Sequence, residues 1–274
     1  QKKLNSNLKE LALENKFKFY GVRDLLYDDG KIYISMILEN SNGFTMNIYE
    51  ADYNLQYLSF SIFFEKKEFT KKYTIQTGGR LEKYREKKIL FSLGAAESLK
   101  DDRVQNETFL EGKIIAIDKL TKKYQLVSKG HRNPQGLLFH EPLNLIINSE
   151  HGPKGGDEIN INFQENETIP NYGWDIASYG TEYTGPDPYK KSHIKYGFIE
   201  PLKYYVPSIG ISQMIYMPKN LNYENGKYLY VSSLRAGSIY IIKTDKNFKK
   251  VIEEDRIFFP QQRIRDIMYD EENN

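Results

Sequence analysis

The chain has 274 residues, and its 39 Lys and Arg side chains against 37 Asp and Glu side chains give a formal net charge of +2. A chain so evenly balanced lacks the basic surface that binding to nucleic acid or to an anionic membrane requires. Cysteine is absent, which excludes a disulfide framework, a thiolate nucleophile and a Cys-ligated metal centre. No apolar stretch approaches the ~18 residues of a transmembrane helix.

Short strands dominate the predicted secondary structure. Two strand patterns at 31–38 and 44–49 flank a loop that ends in Gly43, which is typical of a β-hairpin. Many short strands with little helix indicate an all-β sandwich, barrel or propeller, and the length suits five or six propeller blades of about 40–50 residues each. Further strands are predicted at 58–64, 88–93, 112–117, 124–127, 136–139, 143–148, 158–162, 227–233 and 238–243.

Three kinds of segment depart from the strand pattern. A short amphipathic helix is predicted within residues 5–16, because leucines recur there among charged residues. Residues 164–206 are rich in Tyr, Gly, Pro and Asn and are predicted to form long loops over one face. We expect solvated surfaces of mixed charge at 65–68, 85–88 and 245–250. His140 and His193 lie in no motif, so surface or loop positions are expected for them.

The residues best suited to bind a ligand are concentrated in the middle of the chain. They form three motifs, Gly130-His-Arg-Asn-Pro-Gln-Gly136, His151-Gly-Pro-Lys-Gly-Gly-Asp-Glu-Ile-Asn160 and Asn171-Tyr-Gly-Trp174. The planar fork of an arginine and the amides of Asn and Gln suit a planar polar ligand that carries carboxylates. The sequence therefore predicts an anion-binding pocket built from this region.

A cation site is predicted beside that pocket. Gly152 and Pro153 form a turn that can direct backbone carbonyls towards a cation. Asp157 and Glu158 add the hard oxygen ligands that calcium prefers. Without further information, the same two acidic residues could belong to a solvated turn.

In these motifs the chain resembles the soluble glucose/sorbosone and aldose sugar dehydrogenases, which depend on pyrroloquinoline quinone (PQQ) and fold as six-bladed β-propellers. The resemblance is most specific over residues 130–174. It spans roughly residues 21–266 and continues in four shorter motifs at 78–81, 207–210, 233–241 and 263–266. It implies an N-terminal extension at residues 1–20 and a propeller domain, open or incomplete, at residues 21–274.

The resemblance also implies roles for individual residues. Gly152 and Pro153 would hold the cofactor-linked calcium through their carbonyls. Asp157, Glu158 and the backbone of Tyr172 would form a second, structural calcium site. Cofactor binding would fall to six residues, namely Arg132, Asn133, Gln135, Arg235, Arg263 and Arg265. Four of the nine arginines of the chain would then serve one pocket.

The proton-transfer pair of the family is the main departure. Its histidine base stands four or five residues before the arginine that corresponds to Arg80, where this chain has Gln76 or Ile75. Its orienting aspartate falls at Ala95. Because neither position holds a group that can take a proton at neutral pH, His151 is the nearest substitute base.

Three functions follow as alternatives. The chain is a calcium-bearing, Arg-lined module that binds a sugar or a small polyanion such as PQQ and has lost its redox chemistry. In the second alternative, the chain is an active PQQ-dependent aldose dehydrogenase with a substitute base. In the third, it is a structural propeller that serves as an interaction platform. An open sheet edge would pair with another chain or with the remainder of a longer one. The resemblance implies a periplasmic or extracellular location.

Overall fold

The computed structural model describes residues 4–72, 78–95, 102–165, 168–217 and 227–270. Strands dominate these residues, which confirms the all-β prediction. The helical elements are α1 (Leu8–Glu14) and two three-residue 3-10 helices at Glu141–Leu143 and Ile194–Tyr196. Two compact units divide the chain, Gln1–Val127 and Ser128–Asn274. No helix in the described ranges is long and apolar enough to cross a membrane.

Two four-stranded sheets form the first unit, in the strand orders β2-β3-β4-β6 and β10-β9-β8-β7. The predicted hairpin is present, as β3 and β4. Two-residue strands β1 and β5 pair in parallel beside these sheets. The strands are β1 (Asn5–Ser6), β2 (Lys18–Asp28), β3 (Lys31–Asn40), β4 (Gly43–Asp52), β5 (Tyr57–Leu58), β6 (Ser61–Phe64), β7 (Gly78–Tyr84), β8 (Lys88–Leu93), β9 (Lys113–Asp118) and β10 (Tyr124–Lys129), whose last two residues begin the second unit.

Two further four-stranded antiparallel sheets form the second unit, each with its strands in chain order. Successive strands are hydrogen-bonded neighbours, so each sheet is a meander with the form of a propeller blade. The strands are β11 (Pro134–His140), β12 (Leu145–Glu150), β13 (Asp157–Asn162), β14 (Lys203–Tyr205), β15 (Ile211–Tyr216), β16 (Lys227–Ser233), β17 (Ser238–Thr244) and β18 (Val251–Phe258).

An aliphatic core joins the two sheets of the second unit. Ile147 and Ile159 of the first sheet and Ile211 and Val231 of the second are each fully buried in it. Alternate residues of a strand point to the same face, so the neighbours of these side chains point to the opposite faces. The core therefore fixes β12 and β13, whose ends adjoin the motif at 151–160, and β15, whose start adjoins the motif at 207–210.

Of the charged residues at 65–68, for which the sequence predicts a solvated surface, Lys67 is exposed but Lys66 is buried. The side chain of Lys66 is 1% exposed and donates to Glu111 Oε1 over 2.9 Å. Lys113 is also fully buried and donates to three backbone carbonyls. The prediction is wrong here because a charge pattern does not reveal that a buried partner lies far along the chain.

The N-terminal residues pack onto the first unit. Helix α1 lies within the predicted segment and buries Ala12 against Phe17 and residues of β3. Asn7 donates to and accepts from the backbone of Phe60, at 2.9 and 2.6 Å. Residues 4–20 thus share the core of the unit that follows them.

Candidate functional site

The first two ligand-binding motifs meet at one end of the sheet β11-β12-β13-β14. Arg132 and Asn133 directly precede β11, and residues 151–156 connect β12 to β13. Because β11 and β12 are antiparallel, the start of one lies beside the end of the other. A backbone hydrogen bond from His151 to Asn133, 3.0 Å long, joins the two segments.

Glycines allow the 152–156 turn to fold tightly. A Cβ on Gly152 would lie 2.2 Å from the carbonyl oxygen of Gly156, and a Cβ on Gly156 would lie 2.2 Å from the amide nitrogen of Gly180. Gly156 also has a φ of +69°, which favours glycine. The turn therefore depends on glycine for its close approach to the following loop.

Arg132 is held in place by the turn. Its Nη1 donates to the carbonyl of His151 over 3.1 Å and to that of Gly152 over 2.6 Å. Its guanidinium carbon lies 5.3 Å from the centre of the Trp174 ring. Burial lowers the pKa of Arg132, but a guanidinium stays charged at neutral pH. A fixed cation thus lies beside the carbonyls predicted to bind calcium.

A chain of polar contacts links the next predicted residues. Arg265 Nη1 donates to Gln135 Oε1 over 3.4 Å, and Gln135 Nε2 donates to Asn133 Oδ1 over 2.8 Å. His151 lies within reach of the charges of both Arg132 and Arg265. Burial lowers its pKa, Asp157 opposes that effect, and the two arginines add to it. A series of hydrogen bonds thus links four predicted residues to His151, namely Arg132, Asn133, Gln135 and Arg265.

Like Arg265, Arg235 and Arg263 are exposed rather than enclosed. In the described part of the chain neither guanidinium makes a hydrogen bond or an ion pair. Their backbones are nevertheless fixed near one another, because Ile264 donates to the carbonyl of Ser233 over 3.2 Å and Arg235 donates to that of Ile209 over 3.0 Å. Their roles at the pocket stay predictions.

The carboxylate of Asp157 is occupied by protein donors. Its Oδ2 accepts from the amides of Gly210 and Ile211 over 2.7 and 3.0 Å. Its Oδ1 accepts from Ser208 Oγ over 2.9 Å and from the amide of Gly152 over 3.3 Å. The side chain is 0% exposed. Asp157 therefore ties β13 to the 208–211 segment, and its predicted role as a calcium ligand remains a prediction.

A small cavity lies beside the turn, and we call it the cation cavity. Its volume of about 10 Å³ is close to the minimum that holds one water molecule. Two buried carboxylates, Glu150 and Glu158, face it together with Tyr172. The lining is completed by Gly130, Arg132, His151, Gly152, Gly156, Trp174, Ala177 and Ser178.

Glu150 is a residue of this site that the sequence analysis missed. Its Oε1 accepts from His131 Nδ1 at 3.0 Å and from Asn160 Nδ2 at 2.8 Å, and its Oε2 accepts from the amide of Arg132 at 2.7 Å. His131 is in turn within 2.8 Å of Ser128 Oγ. The usable signal was the position of Glu150 as the last residue of β12, directly before His151.

The two carboxylates of the cavity are in opposite electrostatic situations. Burial would raise the pKa of Glu150, but the charge and hydrogen bond of His131 lower it overall. Burial raises the pKa of Glu158 well above its ordinary value, and the charge of Glu150 raises it further. A cation in the cavity would favour the ionised form of both. No cluster of three acidic or histidine side chains suited to a metal occurs in the described ranges, so a cation here would also need backbone oxygens.

The expected proton-transfer positions lie in the first unit. Gln76 and Ile75 fall outside the described residues. Arg80 is buried and its Nη1 pairs with Asp24 Oδ1 over 3.1 Å, while Ala95 is fully buried. His140 ends β11 and is 3% exposed, so the surface or loop position expected for it is wrong. His193 lies in a loop as expected, although it is 1% exposed.

Comparison with known proteins gives a consistent result. The sequence model of the family described as Glucose / Sorbosone dehydrogenase matches residues 22–274. Aldose sugar dehydrogenase YliI of Escherichia coli (strain K12) is 34% identical over 145 residues, which are 52% of this chain and 38% of that protein. Quinoprotein glucose dehydrogenase B of Acinetobacter calcoaceticus is 27% identical over 197 residues, covering 53% of this chain and 40% of that protein. The matched part thus spans less than half the length of these two relatives.

Solved structures share the fold. A crystal structure of a glucose dehydrogenase superposes with a TM-score of 0.75 at 25% identity, covering 89% of this chain and 75% of the other. The four four-stranded sheets in the described residues therefore match those of glucose dehydrogenase structures. The fold class predicted from the sequence is confirmed by this likeness.

Proposed function

Because the chain belongs to the glucose/sorbosone dehydrogenase family, we propose that it binds a small polyanion of the PQQ class beside a calcium ion. The proposal includes the loss of the redox chemistry, so that the domain acts as a binding module. The observation that carries it is the series of hydrogen bonds that links Arg132, through His151, Asn133 and Gln135, to Arg265. Guanidinium forks and amides are the donors that a planar tricarboxylate requires.

The donor set fits PQQ in its chemistry. Arg132 and Arg265 would pair with carboxylates, and Gln135 and Asn133 would hydrogen-bond to the remaining oxygens. PQQ, when bound, supplies a two-electron acceptor for the oxidation of a sugar. The residues of this chain would bind and orient it, and Trp174 beneath Arg132 would keep water from one side of the guanidinium.

A buried cation also fits what the second unit offers. Glu150 and Glu158 face one cavity whose volume of about 10 Å³ suits a single atom-sized occupant such as an ion. Asn160 Oδ1 is buried and has no hydrogen-bond donor within the described residues, so the region has acceptor capacity to spare. Calcium prefers carboxylate and carbonyl oxygens, and Glu158 with backbone oxygens of the lining would hold it.

The proposed loss of redox chemistry rests on the sequence. Gln76 and Ala95 stand where the family is expected to have its base and the aspartate that orients it. General-base catalysis contributes typically about 10²–10⁴-fold to a rate. We therefore expect no dye-linked oxidation of glucose after reconstitution with calcium and PQQ. Turnover at a rate similar to that of a family enzyme would contradict this.

Titration calorimetry with PQQ in the presence of calcium tests the pocket. We expect Arg132→Lys and Arg265→Ala each to weaken the Kd by about 10- to 100-fold, because a charge-assisted hydrogen bond contributes roughly 1.5–3 kcal/mol. Lysine at position 132 keeps the charge and loses the fork. Arg256→Ala is the matched control, since Arg256 lies exposed on β18. An unchanged Kd in both pocket variants would show that neither arginine binds PQQ and would contradict the proposed pocket.

A second candidate, an active aldose dehydrogenase, has one observation in its favour. The carbonyl of His151 accepts from Arg132, and its Nδ1 is 3.9 Å from Asp157 Oδ1. A carboxylate that orients an imidazole is the arrangement of a general base. If this candidate holds, the wild type oxidises an aldose in the presence of PQQ, and His151→Asn abolishes turnover while PQQ still binds.

A further inference from the structure

The imidazole of His193 makes no hydrogen bond within the described residues, although the residue is only 1% exposed. Its Nε2 lies 3.6 Å from Oε1 of Glu158, and its Nδ1 lies 3.7 Å from Oε2 of Glu200. Buried polar groups are nearly always hydrogen-bonded, and an exception calls for an explanation. The imidazole lies between two carboxylates, one of which faces the cation cavity.

Contacts on both sides fix the position of this ring. A Cβ on Gly173 would lie 3.1 Å from His193 Cδ2, so the ring packs closely on the backbone of the loop that lines the cavity. Glu200 is held by the amide of Ile194 over 3.0 Å and by the hydroxyl of Tyr179 over 2.7 Å. The Tyr179 ring stacks on Tyr204 of β14 with 3.8 Å between ring centres. Glu200 and Tyr179 thus connect the His193 ring to strand β14.

We propose that His193 is a positioning residue for the cation cavity, which holds the carboxylate of Glu158 in the orientation that binds the cation. The inference rests on the calcium site of the proposed function. Outer groups that hydrogen-bond to a ligating carboxylate fix its orientation and strengthen metal binding. A shift of a few tenths of an ångström brings Nε2 within hydrogen-bond distance of Glu158.

His193 acts through Glu158 rather than on the cation. It is absent from the lining of the cavity, which Glu158 shares with Glu150 and Tyr172. Nε2 of His193 faces Glu158 and Nδ1 faces Glu200, so a single ion could not lie between the imidazole and both carboxylates. The affinity for a cation should therefore depend on whether the side chain that replaces His193 has a polar group at the place of Nε2 or at the place of Nδ1.

Terbium luminescence provides the measurement. Tb³⁺ replaces calcium at oxygen sites, and the Tyr172 and Trp174 rings in the lining can sensitise its emission. Competition with Ca²⁺ then gives the calcium affinity without any assay of activity. We expect His193→Phe to weaken that affinity by about 10- to 100-fold, the usual effect of removing an outer-shell partner. We expect His193→Gln, whose amide reaches the place of Nε2, to keep most of it, and His193→Asn, whose amide reaches only the side of Glu200, to lose it.

Two control variants separate positioning from general stability. His140→Phe removes another buried imidazole of the second unit, which packs 4.6 Å from the Tyr216 ring, and should lower stability without changing calcium affinity. Glu158→Gln should abolish sensitised emission. If the wild type binds no Tb³⁺, the calcium site itself is absent. If the wild type binds and Glu158→Gln does not, equal affinities in His193→Gln and His193→Phe would overturn the role of His193 alone.

Discussion

Asp157→Asn is expected to lower the free energy of unfolding by about 2–5 kcal/mol, because two of its four donors would lose their acceptor and each buried group left without a partner costs about 1–3 kcal/mol. The carboxylate accepts from three backbone amides and one hydroxyl without any exposure to solvent. An asparagine has one acceptor oxygen, so its NH₂ group would face an amide donor on one side. Urea denaturation of both proteins provides the measurement.

The same variant tests whether Asp157 is also a calcium ligand. If its function is to join β13 to the 208–211 segment, the loss of stability is equal in calcium and in EDTA. A loss confined to the calcium buffer would instead assign Asp157 to the metal. Ser208→Ala is the matched control and removes a single donor, so we expect a loss of about 1 kcal/mol. A change below that level in Asp157→Asn would contradict the structural role.

Lys113→Met is expected to destabilise the first unit by about 3 kcal/mol or more, because each buried group left without a partner costs about 1–3 kcal/mol. The ammonium donates to the carbonyls of Val104, Glu111 and Arg103 over 2.7, 2.8 and 3.1 Å. Methionine fills nearly the same space and offers no donor. The three carbonyls would then lose a shared partner, and the bonds to two of them, those of Val104 and Glu111, are buried.

Lys88→Met provides the comparison for this variant. Lys88 lies on the neighbouring strand β8 and donates to Gln125 at an exposed position. Surface substitutions of this kind usually stay within about 0.5 kcal/mol. Thermal denaturation should therefore separate the two lysines clearly. A Lys113→Met protein as stable as Lys88→Met would show that the three carbonyls find other partners.

The candidate site depends most on the turn at residues 151–156, which connects β12 to β13. Residues 151–156 supply the carbonyls that Arg132 holds, and their glycines pack against Gly180 of the long loop. That loop carries Trp174 and His193. Trp174 lines the cation cavity and also contacts Arg132 of the proposed anion pocket, so the two sites have this loop in common. A cation that stabilises the loop would therefore also favour the arrangement of Arg132.

The sequence was most informative where a local pattern decides the structure. Alternating β-branched and aromatic residues placed β3, β8 and β16 correctly to within two residues at each end. The strands β2, β15 and β18 were missed. Seven of the eight residues of β18 are charged or exposed apolar residues, on both faces, so they show no alternation that predicts a strand.

The residues of the candidate site also differ in how far the sequence alone could predict them. Arg132, Asn133 and Gln135 are neighbours along the chain, and their grouping could be read from one motif. Arg265 joins them through a hydrogen bond to Gln135 across 130 residues, which only the resemblance to a family suggested. Glu150 was missed because an acidic residue that ends a strand looks no different from one at the surface.

What the sequence determined by itself is the class of fold and the chemistry on offer, namely short strands, an arginine-bearing motif and glycines beside two acidic residues. The tertiary structure decided which acidic side chain does what. Asp157 and Glu158 are adjacent, and in a strand adjacent side chains point to opposite faces. One therefore meets the amides of Gly210 and Ile211 while the other reaches the cavity with Glu150, because packing selects the neighbours of a carboxylate and composition does not.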